Sequence, residues 1–144
     1  MTQKEKELLL SDLCARLPYG VACAYFNSKD EIKVGELRTV WCKEKRIFID
    51  NLSIDYDGCD CIGVMPYLFP LSSMTEEQEN EWDNLHFNPL DTILEGKFKG
   101  EEERLQLISK SMSDPIQWCY KNHFDCNGLI PLGLALDATG LGIY

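Results

Sequence analysis

Lysine and arginine are absent between Ile47 and Gly96, a stretch that carries eleven Asp and Glu residues. Residues 1–50 hold nine Lys+Arg against eight Asp+Glu, whereas residues 51–144 hold five against sixteen, so the net charge of −10 belongs to the second part of the chain. Such a surface repels DNA, RNA and anionic lipid, which excludes nucleic-acid and membrane-surface binding as first readings. No apolar run is long enough to span a bilayer. The leading "MTQKEKELLLSDL" intersperses charges among its leucines and has no small-residue cleavage site, unlike a secretory signal. Cys-x-x-Cys is missing, although there are seven cysteines, at 14, 23, 42, 59, 61, 119 and 126. An odd number of cysteines, several inside apolar runs, reads as reduced thiols in a cytoplasmic protein.

Gly-x-Ser-x-Gly and phosphate-binding glycine loops are also missing, and only two histidines, His86 and His123, are available for acid–base work. What is present suits an ordinary globular domain. The chain has 144 residues, 44% of them hydrophobic and 26% charged, and residues 1–144 are expected to form one domain.

Leu9, Leu10, Leu13, Cys14 and Leu17 recur at helical spacing, so residues 3–17 predict a helix stopped by Pro18 and Gly20. "VACAYF" (21–26), "IKVGELRTVW" (32–41), "RIFID" (46–50) and "CDCIGVM" (59–65) read as strands. The turns between the first three are only a few residues long, which favours an antiparallel meander, and a slip in alternation predicts a bulge near Gly35. The period then becomes helical. Thr75 and Gln78 form a capping-box pattern for a helix from Glu76, whose first-turn acids suit the helix dipole. Residues 101–112 predict another helix, and Asp114 with Pro115 predicts a fresh start for a further one to about Asn122. The expected fold is α+β: an N-terminal helix packed on a small antiparallel sheet, followed by C-terminal helices. Trp41, Trp82 and Trp118 are expected in the core. "YLFPLSS" (67–73) is expected to bury its aromatic end, "LIPLGLALDA" (129–138) to be buried, and "TGLGIY" to be extended.

Three constellations could carry chemistry. Cys59 and Cys61 alternate on a strand while Cys119 and His123 stand i, i+4 on a helix, a ligand set that zinc accepts if strand and helix meet. The same Cys119 and His123 permit a thiol–imidazole contact, without the surroundings of a hydrolase. A histidine at a helix end also suits the dipole in its charged form. "SIDYDGCD" (53–60) opens like a calcium loop but has Val64 where the bidentate Glu belongs, so it reads as an acidic turn. The fourth feature is charge alone. Glu76, Glu77, Glu79, Glu81 and Asp83 crowd one short helix, with Lys97, Lys99, Lys110 and Lys121 available to balance them across the fold. Unless they do, this is a patch for a basic protein partner.

"LLLSDLCARLPYGV", "PYLFPLSSMTEEQ" and "NHFDCNGLIPLGLALDA", in this order, resemble a group of small uncharacterised proteins of gut bacteria and their phages. The group has no assigned activity, so the resemblance implies a cytoplasmic accessory protein and no catalytic residue. Cys126 stands where that group more often has an aromatic residue, which argues against Cys126 as an essential ligand. The reading that results is a non-enzymatic, phage-related interaction protein without a cofactor. The alternative is a small enzyme or zinc-binding protein centred on Cys119/His123 and Cys59/Cys61.

Overall fold

A computed structural model gives an N-terminal helix, a six-stranded sheet and C-terminal helices, an α+β fold. It describes residues 1–27, 29, 31–55, 63–85 and 100–144. Helix α1 spans Gln3–Arg16 and opens with a capping box, Thr2 with Glu5. A single 3₁₀ turn, Leu17–Tyr19, follows, and Gly20 takes the left-handed conformation (φ 67°) that ends the segment. The inner face of α1 differs from the leucine stripe. Leu9, Asp12, Leu13 and Arg16 are buried, whereas Leu10, Cys14 and Leu17 are half-buried. The spacing is still i, i+3, i+4, i+7, but two of the four inward positions are charged.

Strands β1 (Ala22–Phe26), β2 (Ile32–Trp41), β3 (Arg46–Ile49) and β4 (Leu52–Asp55) form the antiparallel meander. The bulge lies between Leu37 and Thr39, not at Gly35, which sits in regular register with Cys23. It brings Val40, rather than Thr39 and Trp41, onto the core beside Leu37, and Trp41 is 49% exposed, its ring tilted against Phe48 with centroids 4.7 Å apart. Gly35 has a different reason to be glycine. A Cβ there would lie 2.6 Å from Ile49 Cγ2 and 2.4 Å from Asp50 Oδ2, so the neighbouring strand passes too close for a side chain. β4 was hidden in the sequence by the acidic run it opens: residues 53–55, read as part of an acidic turn, are strand. Cys59, Cys61 and the rest of residues 56–62 lie outside the described residues, and the strand expected at 59–65 is seen only from Val64 onward.

That strand, β5 (Val64–Leu68), pairs antiparallel with β1 on the side away from β2. β6 (Leu136–Asp137) then pairs parallel with β5, giving the order β4-β3-β2-β1-β5-β6. A parallel neighbour needs a long crossover, and the described residues of the connection include the helices α2 (Glu76–Leu85) and α3 (Glu101–Lys121). Leu9 and Leu13 of α1 meet Val21, Cys23, Leu37, Ile47, Ile49, Val64, Leu68 and Leu129 in the core. The segment 67–73 divides as its composition suggests. Leu68 is fully buried and Tyr67 and Phe69 are half-buried, while Leu71, in a 3₁₀ turn, is 42% exposed.

Thr75 caps α2 as its spacing predicts: the Gln78 N–H donates to Thr75 Oγ1 (3.3 Å) and the Thr75 N–H donates to Gln78 Oε1 (2.9 Å). Because α2 buries no residue fully, its cap carries a large share of its stability. Thr75→Ala is expected to cost about 1 kcal/mol, read as a lower midpoint in urea with an unchanged slope; an unchanged midpoint would refute the cap's role.

The predicted break at Asp114–Pro115 does not occur. α3 runs through both residues, and the Asp114 carboxylate caps nothing. Proline removes one helical hydrogen bond and crowds the carbonyl four residues back. Here the ring is buried, and the helix continues to bring Trp118 and Cys119 onto the fold. The segment 129–138 is a series of turns leading into β6, with Leu129, Leu134, Ala135 and Ala138 buried. Trp82 and Trp118 are half-buried rather than core, 5.6 Å apart between α2 and α3.

Candidate functional site

The buried charges of α1 organise a polar cluster. Asp12 and Arg16 are one helical turn apart, and both side chains have no solvent exposure. Arg16 Nε donates to Asp12 Oδ2 (2.6 Å), and Nη2 donates to Asp12 Oδ1 (3.1 Å) and to the Phe124 carbonyl (2.8 Å). The third guanidinium nitrogen, Nη1, is buried and has no hydrogen-bond partner among the described residues. The Tyr120 ring lies 4.8 Å from the guanidinium carbon. Asn127 Nδ2 donates to Asp12 Oδ1 (2.8 Å) and to the Tyr120 hydroxyl (3.2 Å). α1 thus supplies a rigid ion pair, and the last turn of α3 with the turn after it closes over the pair.

That turn is itself held. Asp125, also buried, accepts from the Leu129 N–H (2.7 Å) and the Ile130 N–H (2.8 Å), while its own N–H donates to the Phe69 carbonyl (2.8 Å). The Phe69 N–H donates to the His123 carbonyl (2.9 Å), so residues 123–125 extend the sheet edge beyond β5. Tyr144 docks from the other side. Its hydroxyl donates to the Tyr67 carbonyl (2.7 Å) and accepts from the Ala22 N–H (3.1 Å), and burial pushes its pKa up to about 12.

Cys119 and His123 share no helix face. α3 ends at Lys121, and His123 has a left-handed backbone (φ 60°). Its ring stacks on Tyr144 with centroids 3.9 Å apart, and Nδ1 is buried without a partner among the described residues. Burial, then the nearby Arg16 charge, pulls the His123 pKa down to about 4. The imidazole is therefore neutral at pH 7, and the expected cation at the helix end is replaced by an uncharged aromatic contact. The Cys119 side chain is fully buried. Among the described residues no group of three His, Cys, Asp or Glu side chains converges as a metal site.

The acidic residues of α2 stand as the sequence placed them. Glu76, Glu77, Glu79, Glu81 and Asp83 are all exposed. Among the described residues none of them forms an ion pair, with Lys110, Lys121 or any other cation; Lys97 and Lys99 lie outside the described residues. Glu81 has a structural role, accepting from Trp118 Nε1 (3.1 Å).

A separate cavity of about 270 Å³ opens at the other end of β1, between Ala24, Tyr25, Ile32, Val64 and Leu136, with Met1 and Leu9 of the N-terminal segment. Its walls are apolar and none of its residues lies on α2. It could hold an apolar group by contact but offers no group for chemistry. Among the described residues no helix is long and apolar enough to cross a membrane. Sequence reading missed Asp12, Arg16, Tyr120, Asn127 and Tyr144; the only local trace was the i, i+4 spacing of the first two. Comparison with protein-family models, curated proteins and solved structures yields no match to this chain.

Proposed function

We propose that the chain is a non-enzymatic accessory protein of the cytoplasm, phage-related, that docks a basic protein partner on α2. The observation that carries this reading is the row of exposed carboxylates Glu76, Glu77, Glu79 and Asp83, with no cation paired to them among the described residues. Like charges at i, i+3 and i, i+4 cost a helix a few tenths of a kcal/mol each, so α2 is not optimised for its own stability. A cationic partner would relieve that repulsion. The alternative, an enzyme or zinc protein centred on Cys119/His123 and Cys59/Cys61, has less support: His123 turns to Tyr144, and Cys59 and Cys61 lie outside the described residues.

Exposed charges are screened beyond about 8–10 Å at physiological ionic strength, so capture of a basic protein by the immobilised chain is expected at low salt and lost at high salt. The triple variant Glu77→Lys, Glu79→Lys, Asp83→Lys should abolish capture with the helical signal intact; Glu81 is spared for its bond to Trp118. Equal capture by the charge-reversed chain, or capture indifferent to salt, would show that α2 is only a solvated face.

A further inference from the structure

The cavity at the end of β1 encloses about 270 Å³, whereas voids larger than a water molecule are few in any domain. Its floor belongs to the core, for Leu9, Val64 and Leu134 are all buried. Its open side is marked by residues that meet solvent. Met1, Phe26 and Ile32 line it and are exposed, and Phe26 stands opposite Ile32 in the pairing of β1 with β2. The space is kept clear by residues without bulk. Gly63 and Gly133 both line it, and among the described residues a Cβ at either would meet no atom within 4 Å. Each has a positive φ, 70° and 71°, so a side chain large enough to fill the gap would strain the backbone there. Ala24 adds only a methyl group to the wall between them.

We propose that this cavity is a binding site for an uncharged aromatic molecule of about two fused rings. Charge is excluded by the walls. Among the described residues no charged side chain lines the cavity, and the Tyr25 hydroxyl is its one polar side-chain group. Water inside finds few partners, and an ion would lose its hydration without compensation. Size follows from volume. A dry apolar cavity of about 150 Å³ takes benzene, so a space nearly twice as large suits roughly ten heavy atoms. The preference for rings over an aliphatic chain follows from the lining. The thioethers of Met1 and Met65 and the ring of Phe26 are all available, and sulfur and ring edges make favourable contacts with an aromatic face. Methionine also adapts its shape to an irregular guest. None of the lining residues lies on α2, so this site and the acidic surface stand or fall separately.

The test is equilibrium dialysis of the full chain against naphthalene. One equivalent should bind, with a dissociation constant on the order of 0.1 mM, which about ten heavy atoms in apolar contact can supply. Two probes check the chemistry. 2-Naphthoate carries the same ring system with a carboxylate, and 1-nonanol has as many heavy atoms as naphthalene in a flexible chain; each should bind several-fold more weakly. Ala24→Leu, which puts bulk into the wall, should weaken naphthalene binding at least tenfold. Ile32 is 64% exposed, so Ile32→Asp leaves the core intact and serves if the first variant does not fold; a charge at the opening should weaken binding at least threefold. No saturable binding, equal or tighter binding of 2-naphthoate or 1-nonanol, or binding unchanged in the folded variants would each overturn the proposal. So would a dimer in sedimentation velocity that excludes naphthalene and dissociates on Ile32→Asp, because the occupant would then be a second copy of the chain.

Discussion

Replacing Asp12 by alanine is expected to lower the unfolding free energy by about 3–5 kcal/mol, the usual penalty for leaving a buried charge without its partner. The side chains of both Asp12 and Arg16 have no exposure, and Asp12 accepts two bonds from Arg16 and one from Asn127. Among the described residues the Phe124 carbonyl would be the guanidinium's one remaining hydrogen-bond acceptor, with Nη1 unpartnered already. Domains of this kind are stable by roughly 5–15 kcal/mol, so one substitution could consume much of the margin. The measurement is a urea transition followed by tryptophan fluorescence. The double variant Asp12→Leu, Arg16→Met should recover most of the loss, because two well-packed apolar side chains often match a buried ion pair. A loss under about 1 kcal/mol in Asp12→Ala would mean that the Arg16 charge is satisfied elsewhere.

Asp125→Ala is expected to cost about 3 kcal/mol. Its carboxylate takes the N–H groups of Leu129 and Ile130 at 2.7 and 2.8 Å while only 7% exposed. Hydrogen bonds to a charged group contribute about 1.5–3 kcal/mol each, and orphaned buried donors add to the loss. Asp125→Asn discriminates the cause, since an amide keeps one accepting oxygen and should lose roughly half as much. Leu129, fully buried, rides on the turn these bonds fix, so the damage should reach the core. Equal transitions for Asn, Ala and parent chains would show that the carboxylate does not hold the turn.

The parts of this fold legible in the sequence are those written in neighbouring residues. Thr75 and Gln78 are three apart, and the box they form is present. The first three strands of the meander are joined by short turns, and their order followed from turn length. The parts that were hidden depend on remote partners. Asp12 and Arg16 lie off the leucine stripe of α1, and nothing near them discloses Phe124, 108 residues beyond Arg16, whose carbonyl and turn bury them. β5 was blurred by Pro66, which cannot donate to a ladder yet lies in the strand opposite Cys23. Asp114 and Pro115 carried a start signal that α3 overrode, since the buried ring and the docking of Trp118 and Cys119 outweighed one lost bond. His123 had the right spacing for a helix face, but the helix ended two residues short of it. Of the acidic patch, by contrast, the exposure of its five carboxylates could be read from the sequence, because exposure is the default for charge, whereas the role of Glu81 and the lack of pairing to Lys110 and Lys121 could not.

The order of strands in the sheet also has a kinetic side. β1 to β4 meet neighbours a few residues away, whereas β5 and β6 pair across the long connection that carries α2 and α3, and Arg16 waits for Phe124. Closing long loops must be compensated before distant contacts stabilise anything, so local hairpins form early and such pairings late. The Asp12–Arg16 pair would then be sealed after the main barrier. Its loss should therefore accelerate unfolding and leave refolding nearly unchanged, so the buried ion pair would set how long the folded chain lasts, with little bearing on how fast it is reached.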